Sequence, residues 1–180
     1  MPRPAGLRSH SRMNDPGRFL DLLLDHLDGT GLDLDDLRPD HLCYRTENHQ
    51  RYHQLRDELG ASNTLLGEHL INGRLIATYR MAQAFPSRAG AFHVVELAAP
   101  KAGKPYKEGW EHAEFIVTGD LHTFAARHGR IAWDMTGAGK AQGAELRLYF
   151  GGLGVKFRRI PLAEVIAAEN GPQQAPSAKT

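Results

Sequence analysis

Two apolar periods divide this chain. Phe19, Leu20, Leu23, Leu24 and Leu27 recur at three- and four-residue intervals, which predicts an amphipathic helix outside any repeat, packed across a sheet as a lid. Asp15-Pro16 supplies its start, and Gly29 or Gly31 its end. From Asp40 the period falls to two. His41, Cys43 and Arg45 alternate with Leu42 and Tyr44 and so share one face of a strand. Asn48 caps a second helix with the stripe Tyr52, Leu55, Leu59 and a stop at Gly60. A strand over 63–69, a turn at Ile71-Asn72-Gly73-Arg74, a strand over 75–81, a loop holding Pro86 and Gly90, and a strand over 92–98 follow. On that last strand Val94, Glu96 and Ala98 share a face.

After a Lys-, Pro- and Gly-rich link at 100–109 the same order begins again. Residues 110–117 alternate as a strand with His112, Glu114 and Ile116 on one side. Asp120 caps a short helix over 121–128, stopped by Gly129. Strands over 131–135, 145–150 and 155–159 follow, the last presenting Lys156 and Arg158 together, and Pro161 opens a closing helix. The class is α+β: two βαβββ modules, 40–99 and 110–160, forming one curved mixed sheet around a cleft inside a single domain, 15–169, with an extra helix at each end. Residues 1–14 read as a flexible arm and 170–180 as a disordered tail.

Composition narrows the function classes. With 41% hydrophobic and 24% charged residues and a net charge of +1, nothing favours nucleic acid or a membrane as partner. No apolar run nears the roughly 18 residues of a membrane span. Cys43 is the only cysteine, which excludes an internal disulfide and fits a cytoplasmic setting, as monomer or homodimer.

The chemistry-bearing positions head the two modules. Asp40-His41 and Glu111-His112 each place an acid and a histidine at the mouth of an apolar-rich strand, and the histidines lie 71 residues apart. Packing the modules about a twofold axis brings His41 and His112 together with Glu96, and two imidazoles with one carboxylate leave positions open on a divalent metal. By alternation Glu111 points away from His112, and Cys43 shares the face of His41 as an inert buried thiol. Trp110 is assigned to the core, and His69 to the surface.

Asp40-His41, Ile71-Asn-Gly-Arg74, Val95-Glu-Leu97, Gly-Trp-Glu-His112 and Val-Lys-Phe157 followed by Glu-Val-Ile-Ala-Ala-Glu169 together resemble the YecM family, a branch of the vicinal oxygen chelate superfamily of glyoxalase I and the extradiol dioxygenases. The resemblance implies metal ligands at His41, Glu96 and His112, a divalent ion (Zn, Fe, Mn or Ni), and a small, oxygen-chelating, anionic substrate. Lys156 stands where glyoxalase-type enzymes carry a second carboxylate, and an ammonium does not ligate. Two readings follow. In one, a metal-dependent isomerase, lyase or dioxygenase uses Glu114 as general base and Lys156 as a catalytic and substrate-binding group, with Arg45 and Arg74 neutralising substrate charge. In the other, Lys156 pairs with Glu96 and the cleft is a metal-free site for a small ligand.

Overall fold

The computed structural model describes residues 13–141 and 143–171, so most of the expected arm and tail lies outside the described residues. Among these residues no helix is long and apolar enough to cross a membrane. Helix α1 (Gly17–Gly29) precedes β1 (Arg38–Arg45), α2 (His49–Ser62), β2 (Thr64–Ile71), β3 (Arg74–Ser87) and β4 (Gly90–Ala98). The second half carries β5 (Gly109–Ile116), α3 (Leu121–Arg127), β6 (Leu146–Phe150), β7 (Leu153–Arg158) and α4 (Leu162–Glu169). One mixed seven-stranded sheet runs β2-β3-β4-β1-β5-β7-β6.

Its centre has twofold character. β1 pairs parallel with β4, β5 pairs parallel with β7, and β1 meets β5 antiparallel. Cys43 lies opposite Glu96 in one parallel pair, and Glu114 opposite Lys156 in the other. Across the antiparallel seam His41 faces Glu114 and Cys43 faces His112. Positions 41, 43 and 96 of module one therefore correspond to 112, 114 and 156 of module two.

The capping and turn chemistry acts as the residue types require. The Asn48 side chain accepts from the Arg51 N–H at the start of α2, and the Asp120 carboxylate accepts from the Thr123 N–H at the start of α3. Asn72 and Gly73 take φ of 51° and 77° in the β2–β3 hairpin, the left-handed conformation that an Asn-Gly turn supplies.

Several expectations are corrected. Helix α2 continues through Gly60 to Ser62. The loop expected at Pro86 is strand: β3 runs on to Ser87, with Pro86 opposite Ala91. Beyond Arg80 that strand has β4 alone as neighbour, and on such an edge proline's missing N–H removes no ladder bond. The strand expected at 131–135 is reduced to one bridge, Asp134 to Arg147, so the second module is βαββ. There the Asp134 carboxylate bonds the Thr136 N–H and bends the chain, while the Trp133 ring turns edge-on into the core against Phe157.

The two faces of the sheet differ in kind. Leu42, Ala113, Phe115, Val155, Phe157 and Leu146 pack with the apolar stripe of α1 and with Leu121 and Phe124 of α3. Tyr44, Ala77, Tyr79 and Leu97 pack against Tyr52, Leu55 and Leu59 of α2. Helix α1 is thus part of the core, and Trp110 packs partly buried against both clusters. Helix α4 is the one that meets the polar side. The Asp40 carboxylate accepts from its first N–H, Leu162, Ile166 lies against Gly67, and Asn170 bonds the Leu66 carbonyl.

Candidate metal centre

Two β-bulges build the site. Pro39 and His41 pair with the consecutive residues Phe115 and Glu114, so Asp40 is an extra residue in β1. Tyr44 and Cys43 pair with Trp110 and His112, so Glu111 is extra in β5. Each bulge swings an acid onto the side of the histidine that follows it. Asp40 Oδ2 lies 2.9 Å from His41 Nδ1, and Glu111 Oε2 lies 3.6 Å from His112 Nδ1. Glu111 therefore does not point away, as plain alternation predicts. The repeated acid–histidine pair was the signal in the sequence that could have located it.

The other ring nitrogens converge. His41 Nε2 is 3.4 Å from Glu96 Oε2 and 3.5 Å from Glu114 Oε1, and His112 Nε2 is 3.2 Å from Glu114 Oε1. Donor atoms of His41, Glu96 and His112 all fall within 4.8 Å of one another. His41 is 1% exposed, and its Nε2 is buried without an aligned hydrogen-bond partner. Burial opposes a charge on this ring, but the Glu114 and Glu96 carboxylates outweigh it and raise its pKa well above the ordinary value. Burial likewise opposes ionisation of Glu96, yet the adjacent His41 leads the groups that push its pKa down to about 2. The centre calls for positive charge beside Nε2, met either by a proton or by a metal ion. With Nδ1 held by Asp40, an unengaged Nε2 and a carboxylate alongside, these residues fit a divalent ion.

Glu114 is fully buried and bound from several sides. Oε1 lies 2.8 Å from Lys156 Nζ, and Oε2 lies 2.9 Å from Arg158 Nε. Burial opposes its charge, but His41, His112 and Lys156 hold its pKa well below the carboxylate range. A carboxylate so engaged keeps its charge, and it stands beside both histidines. Lys156 also stands 3.1 Å from His112 Nε2. The pairing expected between Lys156 and Glu96 is replaced by one with Glu114, because β7 lies beside β5 with residue 156 in register with 114, whereas Glu96 is two strands farther on.

Arg45 ends β1 and Arg74 opens β3. Arg45 forms an ion pair with Glu111, and its guanidinium lies 4.3 Å from the centroid of the Tyr106 ring. Arg74 shares its face with Ile76, which packs with Cys43 and Ala98, and its Nε and Nη1 are buried without hydrogen-bond partners. Cys43 is fully buried, with its sulfur 3.8 Å from Glu111 Oε2. His69, expected at the surface, is half-buried on the same face as Ile76. Across this face Asp40, Glu96, Glu111, Glu114 and Glu145 meet Arg45, Arg74, Arg147, Lys156 and Arg158, with Arg38 and Arg80 in register on the same side. An added divalent ion would leave a surplus of positive charge for an anionic ligand.

Paired α+β modules joined through antiparallel leading strands, with imidazoles and carboxylates gathered at the seam, define a doubled α+β protein with a candidate metal centre. A family profile described as YecM protein matches residues 9–169, and the chain belongs to that family. It is similar to Protein YecM of Escherichia coli (strain K12), 31% identical over 114 residues, which span 63% of this chain and 61% of that protein. Among solved structures it is similar to Protein EC4020, with a TM-score of 0.69 and 26% identity over 84% of this chain and 87% of that one. BphC, a halotolerant catechol dioxygenase, gives a TM-score of 0.41 at 11% identity, covering 66% of this chain and 39% of its own, too distant to inform the site.

Proposed function

We propose that the chain is a metal-dependent enzyme of the vicinal oxygen chelate type that acts on a small anionic substrate able to chelate through two neighbouring oxygens. His41, Glu96 and His112 would hold the ion, and the ion would supply Lewis acidity to those oxygens. The observation that carries this reading is His41: buried, fixed at Nδ1 by Asp40, and unengaged at Nε2 beside Glu96. Asp40 selects the ring's tautomer and orientation. Glu114, paired with Lys156 and Arg158 beside both histidines, anchors the centre and is the candidate general base. Lys156 and Arg45 neutralise substrate charge, and Arg74, with two unpartnered buried nitrogens, receives an anionic group. Substrate screening distinguishes isomerisation, elimination and dioxygenation, since fold does not fix chemistry.

The competing reading, a metal-free site for a small anion, is favoured by Lys156 Nζ, which already supplies a cation at Glu114 and His112. Elemental analysis of protein purified without chelator separates the two. The enzyme reading expects about one divalent ion per chain, lost in His41→Ala and His112→Ala. Wild-type protein that stays free of metal after incubation with Zn²⁺, Mn²⁺, Fe²⁺ and Ni²⁺ would leave only the binder.

A further inference from the structure

We propose that the Lys156 ammonium is a built-in placeholder for the metal, displaced when the ion enters and thereby delivered to the cleft as a substrate-anion clamp. The inference rests on the metal reading above and adds how the site is gated.

Its basis is steric as well as electrostatic. An imidazole nitrogen has a single lone pair, and whatever it binds lies along it. Lys156 Nζ stands 3.1 Å from His112 Nε2, and in the tautomer that carries its proton on Nδ1, toward Glu111, the ammonium meets that lone pair. A divalent ion on the same nitrogen would stand at about 2.0–2.1 Å. An ammonium lying along that lone pair would stand only about 1 Å from the ion, and two cations so close cannot coexist, so ligation by His112 requires the ammonium to leave. Its alternative partner is fixed: Glu114 Oε1, 2.8 Å away, also faces both histidines and holds the ammonium over the centre. The two modules reinforce the point. Position 156 corresponds to Glu96, so a cation stands where the first module presents a carboxylate. Lys156 has somewhere to go, because its side chain is 23% exposed while Glu114 is 1% exposed. A four-carbon stem can swing the head outward without moving the strand.

The test is metal affinity and lysine accessibility, not turnover. Zn²⁺ and Mn²⁺ are titrated against a chromophoric chelator with wild type, Lys156→Met, Lys156→Gln and His112→Ala. Removing the ammonium is expected to tighten metal binding by about tenfold or more, and His112→Ala to weaken it. In parallel, wild-type protein is treated with acetic anhydride with and without saturating Zn²⁺, and Lys156 acetylation is read by peptide mass spectrometry. The expected result is slow labelling in the free protein and a several-fold rise with metal. This second arm needs no variant and stands if both substitutions fail to fold. Wild type that binds metal no more weakly than Lys156→Met and Lys156→Gln, or labelling that ignores the metal, overturns the placeholder while leaving the metal centre intact. No binding by wild type or either Lys156 variant overturns both.

Discussion

The two modules share a plan and differ in what they do with it. In the first, four strands are complete, Asp40 grips its histidine at 2.9 Å, and β4 presents the Glu96 carboxylate. In the second, one strand has shrunk to a bridge, Glu111 stands 3.6 Å from its histidine while engaged by Arg45, and β7 presents an ammonium. The lone cysteine of the first module, Cys43, corresponds to the most heavily engaged carboxylate of the second, Glu114. Twofold geometry placed the imidazoles; divergence at the neighbouring positions set the charge around them. Where Glu96 and Lys156 correspond, one half presents a carboxylate and the other an ammonium.

Core substitutions should break the comparison most strongly. Phe157 and Leu97 occupy corresponding positions and both are fully buried, but Phe157 also stacks among Phe115, Phe124 and Trp133. Phe157→Ala is expected to cost about 4 kcal/mol and Leu97→Ala about 3 kcal/mol, read from urea unfolding. A smaller loss at Phe157 would mean that the second module, with its missing strand, packs more loosely than its rings indicate.

Next come the charge centre and its counterpart. Glu114→Ala leaves Lys156 and Arg158 without their shared carboxylate and is expected to cost about 3 kcal/mol. Cys43→Ala, at the corresponding position, should cost about 1 kcal/mol, since it removes one small, soft group. Equal losses would contradict the division of labour drawn between the modules. Metal affinity separates the two acid–histidine pairs. Asp40→Asn should weaken Zn²⁺ binding by about 10- to 100-fold, the usual consequence of losing a ligand's orienting partner. Glu111→Gln should change it less, because that carboxylate is farther from its ring and shared with Arg45. Chelator competition measures both, and an inverted order would show that the second histidine is the more firmly held.

The chain's own residues determined a good deal. Period-two alternation assigned His41, Cys43 and Arg45, Val94, Glu96 and Ala98, and His112 with Glu114 to their faces. Asn48, Asp120 and the Asn72-Gly73 turn placed helix starts and a hairpin, because a cap or a turn is a contact between residues a few positions apart. The repeated acid–histidine pair announced the doubling. Three matters were decided only in the folded sheet. Bulges turned Asp40 and Glu111 toward their histidines, since an extra residue is defined by the partner strand and not by its own. Strand order gave Lys156 to Glu114 and withheld it from Glu96, a competition between acids that lie near one another only after the sheet has formed. Packing sent α1 to the apolar face and α4 to the polar one, because an amphipathic stripe specifies that it must be buried and leaves open against what.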